Sequence, residues 1–183
     1  MNRLKERYEK EIRPALQKEL KLTNMYTVPR VEKVIVASGV GTANSNRKDL
    51  EGAIRDLSLI CGQRPVVTKA KKAISAFKIR EGFEVGIKIT LRGERMYDFL
   101  DKLFTLVLPR VRDFQGLPLS AFDRQGNYSI GMREQIVFLE IDFGSIDKIR
   151  GFQITIVTNT KSDEEAKLLL TKLGLPFAKK SLK

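Results

Sequence analysis

Phe83-Glu84-Val85-Gly86-Ile87-Lys88-Ile89-Thr90-Leu91-Arg92 alternates between apolar and polar positions without a break. Strand side chains point to opposite faces with a period of two. Phe83, Val85, Ile87, Ile89 and Leu91 therefore share one face, and Glu84, Gly86, Lys88, Thr90 and Arg92 share the other. The first face suits a core, and the second is small, polar and basic. An antiparallel sheet, covered by helices on one side only, accommodates that asymmetry.

Just upstream, Val66-Val67-Thr68 reads as a short strand, and the run Thr68-Lys69-Ala70-Lys71-Lys72-Ala73-Ile74-Ser75-Ala76-Phe77-Lys78-Ile79-Arg80 joins the two. From Leu57 to Arg80 there is no acidic residue. A loop combining cations, the aromatic Phe77 and the nearby Gly82 is suited to irregular RNA, because cations meet phosphates and a ring stacks on a base. The competing reading is a solvated basic loop with no partner.

Leu4, Tyr8, Ile12, Leu16 and Leu20 recur at helical spacing, with Pro14 predicting a kink or a split. Residues 31–40 are β-branched and predict a strand, and residues 49–61 return to helical spacing before Gly62. Met96, Phe99, Leu100, Leu103, Phe104 and Val107 predict a helix stopped by Pro109. Residues 110–133 read as irregular, residues 136–141 and 152–157 as strands. Ser162 with Glu165 predicts a capping box opening a last helix that ends at Gly174. The expected fold is α+β: a mainly antiparallel sheet, helices on one face, the other face open for RNA, in a single domain over residues 1–183.

The chain has 183 residues, with 34 Lys+Arg against 22 Asp+Glu and a net charge of +12. Residues 64–92 hold eight bases and two acids, which is half of that excess. Such concentration favours a polyanionic partner. No apolar run approaches the roughly 18 residues of a spanning helix, and no lipidation motif or signal peptide opens the chain, so no membrane partner is expected. The single cysteine, Cys61, allows no internal disulfide, and its apolar neighbours predict a buried thiol.

The Gly39-Val40-Gly41 turn invites a dinucleotide-binding reading, but Asn44 stands where the third glycine belongs and no second strand ending in an acid follows. Backbone N–H groups meeting an RNA phosphate fit it better. Histidine is absent, so the usual acid–base group near neutral pH is missing, and one cysteine makes no zinc cluster. The carboxylates Asp98, Asp101, Asp163, Glu164 and Glu165 fall on predicted helices with structural explanations. No enzymatic activity, cofactor or metal is expected. Phe114, beside Arg110 and Arg112, and Tyr128 either anchor irregular loops or offer contacts, while Lys179, Lys180 and Lys183 read as a solvated basic tail.

Several ordered blocks add a resemblance. Val28-Pro29-Arg30-Val31-Glu32-Lys33, Gln63-Arg64-Pro65-Val66-Val67-Thr68, Thr90-Leu91-Arg92-Gly93-Glu94-Arg95, Leu108-Pro109-Arg110-Val111-Arg112-Asp113-Phe114 and Gly126-Asn127-Tyr128-Ser129 are among them, with Pro176-Phe177 near the end. The chain resembles, over essentially its whole length, the family of bacterial-type large-subunit ribosomal protein five, which binds 5S rRNA in the central protuberance. The resemblance implies a ribosome-bound cytoplasmic protein, with an organellar ribosome as the alternative. It implies four partners: 5S rRNA, large-subunit rRNA, the P-site tRNA and small-subunit ribosomal protein thirteen. By position, rRNA contacts fall on Gln63, Thr68, Lys69, Lys71, Lys88, Thr90 and Arg92. The tRNA loop is residues 73–85, with Lys72, Phe77, Lys78 and Arg80 as contacts. Its large apolar residues are few and separated, so it is expected to order only against tRNA. Arg110, Arg112 and Phe114, within residues 110–127, are the bridge candidates.

Three departures stand out. Ala37 replaces the family's usual asparagine, Arg124-Gln125 replaces Gly-Arg, and Leu139 replaces a proline, which permits a more regular strand there. A free-standing RNA-binding regulator or chaperone using the same basic face is the alternative function.

Overall fold

The computed structural model describes residues 2–41, 47–112, 114–142, 144 and 146–178. Asn44, Asp113 and the lysines of the predicted tail lie outside them. Five strands, β1 (Val31–Gly39), β2 (Val66–Lys69), β3 (Glu84–Leu91), β4 (Tyr128–Met132) and β5 (Phe152–Thr158), form one sheet in the order β2-β3-β1-β5-β4. β2 pairs with β3 antiparallel. The other pairs run antiparallel too: Val40 at the end of β1 donates to Val85 at the start of β3. Arg30 meets Asn159 at one end of β1, and Ser38 meets Gly151 at the other. Ser129 bonds Thr155 and Asn127 bonds Thr158 between β4 and β5. The expected α+β fold with an antiparallel sheet is the observed one.

The chain divides into two compact units, Met1–Val34 with Leu91–Ile130 and Thr155–Lys183, and Ile35–Thr90 with Gly131–Ile154. In the first, α1 (Arg3–Arg7) passes through a π turn at Tyr8–Ile12 into α2 (Arg13–Glu19). The π turn answers Pro14: the Arg13 N–H reaches back five residues to Tyr8 O, and Pro14 then sits in the first turn of α2, where its missing N–H is harmless. The helix widens instead of splitting. Leu4, Tyr8, Ile12 and Leu16 are all buried, as their spacing predicts. α4 (Gly93–Lys102) runs through further helical turns to Arg110, past Pro109.

At α5 (Asp163–Leu173) the predicted capping box does not form. The Ser162 side chain makes no cap bond; Glu165 Oε2 instead accepts the Thr160 hydroxyl, and the Ser162 N–H donates to Thr160 Oγ1 at 3.1 Å. Asp163 is also occupied, accepting the Gly126 N–H at 2.9 Å. Tyr128 is fully buried, its hydroxyl donating to Pro118 O at 2.8 Å, and its ring meets Phe122 and Phe177 edge-on. It anchors its loop and is no contact residue.

In the second unit α3 (Arg47–Cys61) lays Ala53, Leu57 and Ile60 over Ser38 and Phe152. Cys61, expected to be buried, is only half-buried at the helix end. Buried charge braces this layer. Arg150 Nη1 lies 3.3 Å from Asp56 Oδ2, and the Gln135 amide donates to Lys148 O at 2.7 Å while its oxygen accepts the Arg150 N–H at 2.6 Å. Gly52 makes room for the brace: a Cβ there would stand 2.9 Å from Asp147 Oδ2 and 3.0 Å from Arg150 Nη2.

The same brace overturns the strand expected at residues 136–141. Pinned by Gln135, the chain turns at Gln135–Val137 and turns again as Ile141 N–H donates to Phe138 O, burying Phe138 and Ile141 from successive turns. Leu139 stands in a turn, 60% exposed, so the regular strand that loss of the proline permits does not form there. The strand lies earlier, at β4 inside the stretch read as irregular, where Tyr128, Ile130 and Met132 alternate inward.

Candidate nucleic-acid interface

Residues directly opposite in an antiparallel pair share a face. The β2–β3 register matches Val66 with Lys88, Val67 with Ile87 and Thr68 with Gly86. Ile87 is buried, so its row faces the core, and the Val66–Lys88 and Thr68–Gly86 rows face outward. The next pair is Lys69 with Glu84, because a bulge intervenes between Thr68 and Lys69. The register skips Val85, so the extra residue lies on β3 and β2 keeps its alternation, with Thr68 on the outward face and Lys69 on the other. It also sets a carboxylate opposite Lys69.

Gly86 lets the strands approach here. A Cβ on it would come within 2.7 Å of Ser38 O and 3.2 Å of Thr68 Oγ1. The surface around Thr68 is consequently low, with Lys88 standing exposed one row away. Counting back from the Val40–Val85 bond places Ala37 opposite Lys88 on this face. Thr90 is half-buried next along β3, and Arg92, exposed, precedes α4 with an extended backbone. Gln63 follows Gly62 in the turn between α3 and β2 and is half-buried. Sequence reasoning missed Val66, which is 62% exposed on this face; a β-branched apolar residue in a strand carries no local sign of facing outward.

The loop after β2 is a closed hairpin. The Ala70 N–H donates to Phe83 O at 2.8 Å, the Gly82 N–H to Ala70 O at 3.0 Å, and Ile74 and Ile79 exchange both bonds at 2.8 and 3.1 Å. At its tip the turn Ser75–Phe77 ends on Lys78, whose φ of 53° is left-handed. Lys71, Lys72, Lys78 and Arg80 lie on this hairpin, and Phe77 is 72% exposed. Cations and ring are thus carried outward on a backbone that bonds to itself.

Arg110 closes the last helical turn of the α4 segment and Arg112 follows it, both exposed, and Phe114 is half-buried. In the next loop Asp123 accepts the Gln125 and Asn127 N–H groups at 2.8 and 3.0 Å and the Asn127 amide at 2.7 Å. Burial raises its carboxyl, but these hydrogen bonds outweigh that and leave it below the usual carboxylate range. They also hold Arg124 at a left-handed φ of 62°.

Among the described residues no His, Cys, Asp and Glu group could hold a metal ion, and no helix is long and apolar enough to cross a membrane. Fold and surface define a class: an α+β protein whose sheet and hairpin carry exposed cations and small side chains. Two family models match the chain, Ribosomal protein L5 over residues 24–80 and the C-terminal model of the same ribosomal family over residues 84–177. A protein of Thermoanaerobacter sp. named large ribosomal subunit protein uL5 is 57% identical over 98% of the chain and all of the relative. Relatives of the same name in Brevibacillus brevis and Streptococcus uberis are 56% and 55% identical, each over 97% of the chain and 98% and 99% of their own lengths. The chain belongs to the L5 family of ribosomal proteins. That family consists of large-subunit ribosomal proteins, ribosome-bound in the bacterial cytoplasm, and not of enzymes.

Proposed function

We propose that the chain binds 5S rRNA through the outward face of β2, β3 and β1, contacts the P-site tRNA through its basic hairpin, and helps bridge to the small-subunit head through Arg110, Arg112 and Phe114, towards small-subunit ribosomal protein thirteen. The observation that carries the first part is the bulged register. It sets Thr68 and Lys88 on one outward surface beside the exposed Val66, with Gly86 letting the strands close beneath Thr68. Such a surface reads phosphate and shape more than base edges. The hairpin's cations and exposed aromatic support the second part, and the exposure of the two arginines supports the third.

The test is Lys88→Glu combined with Arg92→Glu. Binding to 5S rRNA should weaken by at least about tenfold, and the dependence of log K on log salt should flatten by about 0.7–0.9 per lost phosphate contact. Wild-type affinity across the whole salt titration would remove the sheet face from the interface.

A further inference from the structure

Tyr26 is 78% exposed, the most open large apolar side chain among the described residues, and neither the sheet face nor the hairpin uses it. Its position is set by hydrogen bonds. Asn24 caps the turn Met25–Thr27: its side-chain oxygen accepts the Tyr26 N–H at 2.9 Å, and its main-chain oxygen accepts the Thr27 hydroxyl at 2.7 Å. From α2, Arg13 Nη2 donates to Met25 O at 3.1 Å, which leaves the guanidinium carbon 5.9 Å from the Tyr26 ring centroid. No salt bridge engages Arg13 among the described residues. Lys10 and Arg30 are exposed along the same segment. Nearby Glu11 and Glu19 are occupied by Arg7 and Lys172.

An open aromatic face held beside a cation without a carboxylate partner matches one nucleotide: the ring stacks on a base and the guanidinium takes the adjoining phosphate. Met25, 47% exposed, adds one apolar side chain beside the ring, but a protein partner would need a wider apolar surface, and Thr23, Asn24 and Thr27 are polar and exposed. We infer that Tyr26 and Arg13 form a stacking site for a single unpaired RNA base, separate from the residues of the sheet face. The site rests on the reading of the chain as an rRNA-binding protein and adds a contact that reading does not contain.

Ultraviolet crosslinking of large subunits assembled with the full chain tests it. The tryptic fragment between Lys21 and Arg30 should carry a nucleotide, whose sequence context tells 5S rRNA from the large rRNA. Tyr26→Ala should abolish that crosslink and weaken binding of the crosslinked RNA by about tenfold, the ordinary worth of one base stacked on an aromatic. Tyr26→Phe should hold affinity within about twofold, since the stacking face remains, and Arg13→Gln should weaken binding at low salt more than at high salt. The inference fails if the fragment is linked to a protein or to nothing, or if Tyr26→Ala binds as wild type does. Loss of affinity in Tyr26→Ala beside an unaffected Lys88→Glu/Arg92→Glu variant would sink the sheet-face reading and leave this site standing.

Discussion

Ala37 lies half-buried on the outward face of β1, and the register places it opposite Lys88. The asparagine usual at this position in the family would set an amide beside that lysine, with donor and acceptor both available to RNA. Alanine leaves the surface one polar group short. Ala37→Asn should therefore tighten 5S rRNA binding by about 1 kcal/mol, roughly fivefold, the net worth of one hydrogen bond. An equilibrium titration decides it, and unchanged affinity would mean the RNA does not reach this row. Thr68 and Lys69 illustrate the neighbouring lesson: the irregular register skips Val85 on β3, so β2 keeps its alternation and the two side chains stay on opposite faces.

The hairpin between β2 and β3 is the element whose behaviour separates two functions. Its charge and its aromatic are legible in the sequence, and so is its shortage of large apolar residues. That shortage predicts a loop ordered only against its RNA, whereas the backbone closes on itself through the Ile74–Ile79 bridge. Backbone pairing needs no apolar payload, so composition gives no sign of it. Every side chain from Lys71 to Lys78 is exposed, so the hairpin contributes little to the core. Deleting residues 75–82 retains the Ala70–Phe83 bond as a shorter turn. The deletion should leave thermal unfolding and 5S rRNA affinity nearly unchanged and lower P-site tRNA retention on assembled ribosomes. Lost 5S rRNA binding with intact tRNA retention would exchange the assignments of the two surfaces.

At the scale of the molecule, the family models meet between residues 80 and 84, in the hairpin, while the compact units interleave segments from both halves of the chain. The first unit holds three buried tyrosines with raised pKa values. Burial pushes Tyr97 and Tyr128 up from 10.0 to about 12 and raises Tyr8 as well. Ionisation would also cost the bonds that the Tyr8 and Tyr128 hydroxyls donate to Pro29 O and Pro118 O. Above pH 10 the unfolded chain loses these protons first, so stability contributed by the neutral phenols should fall as pH rises from 10 to about 12. Denaturant titrations at pH 9 and at pH 11 check this, with a lower midpoint expected at the higher pH. A midpoint that did not move would show these phenols to be accessible in the folded state.

By itself the sequence determined the α+β class, the antiparallel sheet, the core faces of β3 and of the opening helix, and the basic polyanion-facing character, because periodicity and charge are properties of neighbouring residues. Ordered blocks such as Gln63-Arg64-Pro65 and Leu108-Pro109-Arg110 also carried the family. Only the tertiary structure decided that Val66 faces outward, that the register skips Val85 opposite Lys69, that residues 136–141 turn where a strand was expected, and that Thr160 displaces Glu165 as acceptor of the Ser162 N–H at the start of α5. Each of these turns on a partner distant in the chain or on competition between hydrogen bonds: a bulge is defined by the strand across from it, and Gln135 pins its segment through Lys148 and Arg150. Local patterns carry no record of which distant group arrives, so these choices are made only when the chain packs.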